Sequence, residues 1–296
     1  MYELFFLADL APRGRNMQRP EKKSILCPNC RKLINHDDPN CPYCGLSRPG
    51  SGWRKTLPSN LLSSPYDMIK IIIYVNIAFY VLALLLNPRG LGLSSNPLSF
   101  LSPSNNSLLL LGATGTIPID RLHRWWTLLS ASYLHGGLIH IAFNMLALRQ
   151  LGPFVLREYG LYRFFVIYTI TGIAGFYLSY LAGVPLTIGA SASICGLIGA
   201  TLYYGKSRGD IYGQAIYKQV MGWVVGLALF GFMIPGINNW GHGGGIVAGV
   251  LLAFIMGYND KRRENQLHRV LSTSCMLLTA GILLWAVLQS IYFSLT

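Results

Sequence analysis

Residues 164–205 read FFVIYTITGIAGFYLSYLAGVPLTIGASASICGLIGATLYYG and contain no Asp, Glu, Lys or Arg. A helix needs about 20 apolar residues to cross the hydrocarbon core of a bilayer, so this run has room for two crossings. The uncharged run 219–259 also has room for two, and the uncharged runs 71–88, 125–148 and 270–296 have room for one each. The sequence therefore predicts seven membrane-spanning helices, at residues 69–87, 134–152, 161–181, 189–205, 218–235, 239–258 and 270–293.

The distribution of charge predicts how these helices are oriented. Charged residues make up 12% of the chain, against about 25% in soluble domains. With the N-terminus in the cytosol, 21 of the 24 Lys and Arg residues fall on the cytosolic side, as the positive-inside rule requires. The net charge of +13 then reflects topology and contact with anionic lipid headgroups, and nucleic acid is not an expected partner. We predict a multi-pass protein of an inner or plasma membrane, with a non-cytosolic C-terminus.

No cleaved signal peptide is expected at the start of the chain. The segment Met1–Leu10 is short and carries Glu3 and Asp9, and a basic polar tract follows it. Signal peptides have a basic start and a longer apolar stretch.

Four of the six cysteines lie close together near the N-terminus, as two C-x2-C pairs, Cys27 with Cys30 and Cys41 with Cys44. Two such pairs can close a tetrahedral four-thiolate zinc site. The alternative is a pair of disulfides or redox dithiols, which a reducing cytosol disfavours. The spacing resembles that of zinc ribbons over residues 27–45. The resemblance implies a structural Zn²⁺ and a module that binds an unknown partner or has only a structural role.

These observations divide the chain into four parts. An N-terminal basic segment (1–26) precedes the zinc ribbon (27–45). A linker rich in Pro, Gly and Ser follows (46–67), and the transmembrane domain occupies residues 68–296.

Several polar side chains lie inside predicted spans. Because it costs free energy to place a polar group in lipid, such residues are expected to have a functional role. Spans two, four and six all begin on the non-cytosolic side, so polar residues near their starts can share one depth. These residues are His135, His140 and Asn144 in span two, Ser191 and Ser193 in span four, and His242 in span six.

The spacing of small residues predicts that two of these spans pack against each other. Residues spaced by four share one helix face, as His140 and Asn144 do. Small residues at this spacing let two helix backbones approach closely. Two such stripes are Ser191, Cys195 and Gly199 in span four, and Gly241, Gly245 and Gly249 in span six. Packing along them would bring the Ser191 hydroxyl within reach of the His242 ring.

Residue types missing from the spans exclude several mechanisms. None of the eleven Asp and Glu residues lies in a predicted span. An aspartyl protease needs two buried carboxylates, and a zinc metalloprotease needs a Glu beside its His ligands. A Ser-His-acid triad is excluded for the same reason. A Ser–His pair remains, with His as general base and then general acid, and it requires no catalytic cofactor.

Three separated motifs resemble those of the rhomboid family of intramembrane serine proteases. They are HGGLIHIAFN (135–144), GAS (189–191) and GHGGGIVAG (241–249). The resemblance covers residues 69–293 and implies an all-α fold with a six-helix core and a seventh, C-terminal transmembrane helix.

The resemblance also implies residue roles. Ser191 would be the nucleophile and His242 the general base. His140, Asn144 and the Ser191 backbone N–H would stabilise the oxyanion. The implied substrates are transmembrane segments of membrane proteins, cleaved near the non-cytosolic side. Three positions depart from the family pattern: Ala192 follows the nucleophile in place of Gly, Cys195 replaces a bulky residue, and Thr127 follows Trp126 in place of Arg.

Two other functions remain open. A catalytically inactive rhomboid-like protein could bind membrane clients and control their trafficking or degradation, although such relatives typically lose the Ser or the His. A small transporter could use the polar residues as a substrate path, but ion-coupled versions usually need carboxylates in the membrane. His135 fits either loop support or no specific role.

Overall fold

The computed structural model describes residues 24–28, 30–43, 46, 48–50, 66–87, 90, 92–93, 100–234 and 236–295. The chain divides into two compact units, Met1–Ser64 and Pro65–Thr296. Most of the predicted N-terminal segment and linker lies outside the described residues. Cys44, the predicted fourth zinc ligand, also lies outside them.

The first unit contains a short antiparallel hairpin. Strand β1 (Ser24–Leu26) pairs with β2 (Leu33–Asn35), and Ile25 lies opposite Ile34. Cys27, Cys41 and Ile34 form its small buried core. Units with so little apolar core usually depend on a metal or on disulfides for stability.

The second unit is a helical bundle. In chain order its helices are α1 (Asp67–Leu86), α2 (Asn105–Leu110), α3 (Thr127–Ser130), α4 (Leu138–Tyr159), α5 (Leu161–Leu181), α6 (Ser191–Arg208), α7 (Ile211–Met233), α8 (Asn239–Met256) and α9 (Gln266–Leu295). A long helix lies at each of the seven predicted spans. This confirms the predicted all-α polytopic architecture.

Six of the seven long helices, all except α6, have the length and apolar composition needed to cross a membrane. Helix α6 carries Lys206 and Arg208 in its last turn and several small polar residues. Its residues from Ala192 to Leu202 are all buried, so they contact other helices and need not be apolar enough for lipid. The crossing of the membrane by α6 itself remains a prediction.

Helices α6 and α8 run in the same direction, and glycines let their backbones approach closely. A Cβ on Gly245 would collide with the Ala192 carbonyl oxygen, and one on Gly249 would collide with the Gly196 carbonyl oxygen. The predicted packing along small-residue stripes is therefore present, and both helices begin at the same end of the bundle.

The start of α4 differs from the predicted span, which began at residue 134. The helix begins at Leu138, so His135 lies in the preceding segment. Two consecutive glycines, Gly136 and Gly137, explain the later start, because glycine loses the most backbone entropy in a helix.

The chain between α1 and α4 is more structured than a plain connector. It contains β3 (Gly92–Leu93), β4 (Phe100–Ser102), the short helices α2 and α3 and a π-helical turn, Ile117–Arg121. Thr114 in this region pairs with Thr187 in the α5–α6 loop through two backbone hydrogen bonds of 3.1 and 2.7 Å. This pairing holds the loop that leads into α6.

Candidate active site

Ser191 is the first residue of α6. The loop before it is fixed at Thr187 by the pairing with Thr114, and at Gly189 by a 2.9 Å hydrogen bond from its N–H to the Ala131 carbonyl. Ser191 is half-buried. The first backbone N–H groups of a helix have no acceptor within the helix, so those at the start of α6 can bind an anionic oxygen.

Gly189 lies between Ser191 and His140. Its φ of +124° is a conformation that other residues rarely adopt. A Cβ at this position would lie 2.7 Å from His140 Nε2 and 3.6 Å from Ser191 Oγ. Because Gly189 has no side chain, the His140 imidazole and the Ser191 hydroxyl can both lie close to the position where its Cβ would be.

The His140 ring is held in one orientation. The Gly136 N–H donates to His140 Nδ1 at 3.3 Å, and the buried His135 ring contacts it edge-on with centroids 5.0 Å apart. A neutral imidazole carries its proton on only one nitrogen. Because Nδ1 accepts a hydrogen bond, Nε2 carries the proton and faces the Gly189 side as a donor.

Asn144 lies one turn beyond His140 in α4 and is 6% exposed. Its Nδ2 donates to the His140 carbonyl oxygen at 2.9 Å, which leaves a second amide N–H. The hydrogen bond that the structure gives this side chain stays within α4 and does not reach Ser191 or His242.

His242 lies in the first turn of α8. Gly245, one turn further on, is in contact with Ala192 and would meet Cys195 if it carried a Cβ. The α8 turn that carries His242 therefore lies beside the α6 turn that carries Ser191. Among the described residues, Nδ1 of His242 is buried without a hydrogen-bond partner, so no carboxylate orients the ring from that side. The structure contains no hydrogen bond between the side chains of His242 and Ser191.

Ala192, the departure next to the nucleophile, is accommodated by α5. The Ala192 methyl is buried and packs toward Gly175, where a Cβ would lie 3.0 Å from it. The glycine at position 175 provides room for the extra methyl group.

Asn238 was missed by the sequence reasoning. Its Oδ1 accepts from the Gly241 N–H at 2.9 Å, and its Nδ2 donates to Ser179 Oγ at 2.7 Å and to Thr187 Oγ1 at 2.8 Å. The available signal was an Asn before a glycine-rich helix, which is a typical N-cap. An N-cap signal does not reveal partners in other elements.

The cysteine cluster of the first unit is a separate candidate site, for a metal ion. The Sγ atoms of Cys27, Cys30 and Cys41 all lie within 4.8 Å of one another. Cys30 and Cys41 are 3.6 Å apart, far beyond the S–S bond length of about 2.05 Å. Four thiolates around zinc at about 2.3 Å place their sulfurs about 3.8 Å apart. The three described cysteines therefore have a spacing that can bind a metal.

Comparison with known proteins shows similarity to one family, both in a family model and in individual relatives. Residues 122–259 match the Rhomboid domain family. The chain is 34% identical over 185 residues to Rhomboid protease GluP of Bacillus subtilis (strain 168), covering 62% of this chain and 34% of that protein. It is 34% identical over 163 residues to RHOMBOID-like protein 4 of Arabidopsis thaliana, covering 54% of this chain and 41% of that protein. It is 30% identical over 209 residues to RHOMBOID-like protein 5 of the same plant, covering 62% of this chain and 67% of that protein.

Proposed function

Because the chain belongs to the rhomboid family, we propose that it is an intramembrane serine endopeptidase that cleaves transmembrane segments of membrane proteins near the non-cytosolic side. The observation that supports this proposal is the arrangement of residues from α4, α6 and α8 around the start of α6. Ser191 Oγ and His140 Nε2 flank Gly189, and the turn of α8 that carries His242 lies against the turn of α6 that carries Ser191.

In the proposed reaction, Ser191 Oγ attacks the peptide carbonyl carbon while His242 removes the hydroxyl proton. His242 then gives this proton to the leaving amine nitrogen as the C–N bond breaks. Water attacks the resulting acyl-enzyme and transfers a proton to His242, which returns it to Ser191 Oγ. The products are an amine and a carboxylic acid, and no cofactor takes part.

The oxyanion of the tetrahedral intermediate would receive hydrogen bonds from the Ser191 backbone N–H, from His140 Nε2–H and from the second Asn144 amide N–H. The orientation of the His140 ring supports this role, since its Nδ1 already accepts the Gly136 N–H. Each such donor typically contributes about 2.7–4 kcal/mol to transition-state stabilisation.

The topology and the substrates are part of the same proposal. With the N-terminus in the cytosol and the C-terminus outside, Ser191 lies near the non-cytosolic surface, where water can reach it. Substrate helices would enter from the bilayer and be cleaved near their outer ends.

The cysteine cluster is proposed to be a structural zinc site. Cys44 would be the fourth ligand beside Cys27, Cys30 and Cys41, because it completes the second C-x2-C pair. The ribbon would serve as a structural or partner-binding module, with no role in the cleavage chemistry.

A cleavage assay on the full chain in detergent, with a single-span membrane protein as substrate, tests the activity. The wild type and Ser193→Ala should cleave, whereas Ser191→Ala and His242→Ala should not. Ser193 is the matched control, because it is a buried serine two residues from the proposed nucleophile.

Cleavage by Ser191→Ala at the wild-type rate would contradict the proposed site. Binding of the substrate by the wild type without cleavage would favour the catalytically inactive, client-binding alternative.

A further inference from the structure

The side chain of Asn238 joins three segments of the bundle. Through Oδ1 it caps the start of α8 at Gly241, and through Nδ2 it contacts Ser179 at the end of α5 and Thr187 in the loop before α6. Asn238 thus uses one acceptor and both donors of its amide in hydrogen bonds of 2.7–2.9 Å.

Each partner of Asn238 is itself fixed. Ser179 is fully buried, and its hydroxyl donates to the Gly175 carbonyl at 3.0 Å, so its oxygen is available as an acceptor for Asn238. Thr187 is 8% exposed, and its backbone pairs with Thr114. The amide therefore connects α8 to rigid parts of the structure.

The same residue is coupled to both proposed reacting groups through the chain. Its carbonyl oxygen accepts the His242 backbone N–H at 3.1 Å, one helical turn away. Thr187 lies four residues before Ser191, in the loop that ends at the nucleophile. The Asn238–Thr187 hydrogen bond therefore links the start of the His242 helix to the Ser191 loop.

We propose that Asn238 is a positioning residue, which fixes the separation between Ser191 Oγ and the His242 ring through its hydrogen bond to Thr187. This inference rests on the proposed protease function. The glycine contacts between α6 and α8 set how closely these helices pack, and the Thr114 and Ala131 hydrogen bonds hold the loop before Ser191. Neither set of contacts joins that loop to the start of α8, and the Asn238 amide makes this connection.

A simple N-cap would act differently. Capping uses only Oδ1 and the Gly241 N–H, and its loss lowers stability without a specific effect on the reacting groups. Thr187→Val separates the two roles, since valine has nearly the shape of threonine but lacks the hydroxyl. This variant leaves the cap and the Thr114 backbone pairing intact and removes only the link to Asn238.

The test measures kcat, KM and thermal unfolding of the full chain in detergent, with a single-span substrate. We expect Asn238→Ala and Thr187→Val each to lower kcat by about 10²-fold, the effect of misplacing reacting groups by about 1 Å. KM should stay within about twofold, because substrate binding in the ground state is unchanged. The double variant should be no slower than Asn238→Ala alone.

Asn239→Ala is the matched control. It removes the same amide from the adjacent position, but its Nδ2 donates to the Gly231 carbonyl of α7 at 2.9 Å and not to the loop before Ser191. Its kcat should remain near that of the wild type.

Wild-type kcat in Thr187→Val would overturn the positioning role and leave Asn238 as a cap. Multiplicative losses in the double variant would overturn it as well. If Ser191→Ala cleaves like the wild type, the protease function itself fails. If Ser191→Ala is inactive while Thr187→Val is fully active, only the positioning role fails.

Discussion

Gly189 meets two demands that no other residue type can meet together. Its φ of +124° disfavours any residue with a Cβ, and the space where a Cβ would project is taken by the His140 imidazole. The proposed oxyanion donor and the nucleophile therefore depend on this glycine for their approach.

We predict that Gly189→Ala abolishes cleavage, because the new methyl group would push His140 Nε2 away from the oxyanion position. Gly183→Ala is the control in the same loop. Gly183 also has a positive φ, of +77°, but nothing lies within 4 Å of its Cβ position. Initial cleavage rates and unfolding temperatures of both variants check the prediction. Equal loss of activity in both variants would mean that backbone strain, and not the contact with His140, causes the loss.

Individual polar residues could be found in the sequence because lipid makes them costly. His140, Ser191 and His242 were singled out by depth and helical phase. The orientation of the His140 ring and the three partners of Asn238 could not be found in this way. Each depends on hydrogen bonds to segments far away in the chain, whose approach the sequence pattern does not specify.

At the scale of the helices, glycine contacts explain how α6 packs closely against α8, which exposes Val247, Leu251 and Phe254 on its other face. Backbone atoms of the two helices are in contact at Gly249 and Gly196. Close backbone packing, rather than the burial of large side chains, therefore joins the helices here. The stripe of small residues predicted this contact. It did not predict that α6 would be almost fully enclosed.

We predict that Gly249→Ala destabilises the bundle by about 1–3 kcal/mol, the usual cost of overpacking, because its methyl group collides with the Gly196 carbonyl. Gly243→Ala in the same helix should be neutral or slightly stabilising, since its Cβ position is open. The free energy of unfolding in detergent, measured for both, distinguishes them. A neutral Gly249→Ala would show that the helices are further apart than described.

Arg163 is one of the 21 Lys and Arg residues that the charge count assigns to the cytosolic side. Its side chain is fully buried, and its guanidinium holds the α8–α9 connection. It donates to the Met256, Gly257 and Arg262 carbonyls and to Asn259 Oδ1, at 2.7–3.3 Å. Charge counting could not show this burial, because the acceptors are backbone carbonyls about 95 residues later in the chain.

We predict that Arg163→Lys lowers the free energy of unfolding by about 3 kcal/mol, because lysine lacks the planar fork and each lost bond to a charged donor contributes about 1.5–3 kcal/mol. Arg157→Lys is the control, since its side chain is 56% exposed and bonded to Glu158. Unfolding measurements on both variants in detergent provide the test. Equal effects would contradict the structural role of Arg163.

For the whole molecule, composition and charge predicted a multi-pass helical protein, and a helix lies at each predicted span. Hydropathy alone identifies six of the seven long helices. It misses α6, which is buried among its neighbours, so its residues need not be as apolar as residues that contact lipid. The short elements between α1 and α4 were also missed. Part of this region depends on contacts with the α5–α6 loop, such as the Thr114–Thr187 pairing.

The N-terminal unit gives a prediction about metal content. The full chain should contain about one zinc ion per molecule, as four thiolates bind one Zn²⁺. Cys41→Ser should reduce the zinc content, whereas Cys275→Ser, in α9, should not. Elemental analysis of the purified chains checks this. Full zinc content in Cys41→Ser would contradict the proposed ligands.

The proposed pairing of Ser191 with His242 is tested most directly by labelling the full chain with a fluorophosphonate and locating the adduct by peptide mass spectrometry. A fluorophosphonate reacts with a serine whose hydroxyl proton is removed by a neighbouring base. We predict one adduct, on Ser191, in the wild type and in Ser193→Ala, and none in His242→Ala. An adduct on another residue, or undiminished labelling of Ser191 without His242, would contradict it.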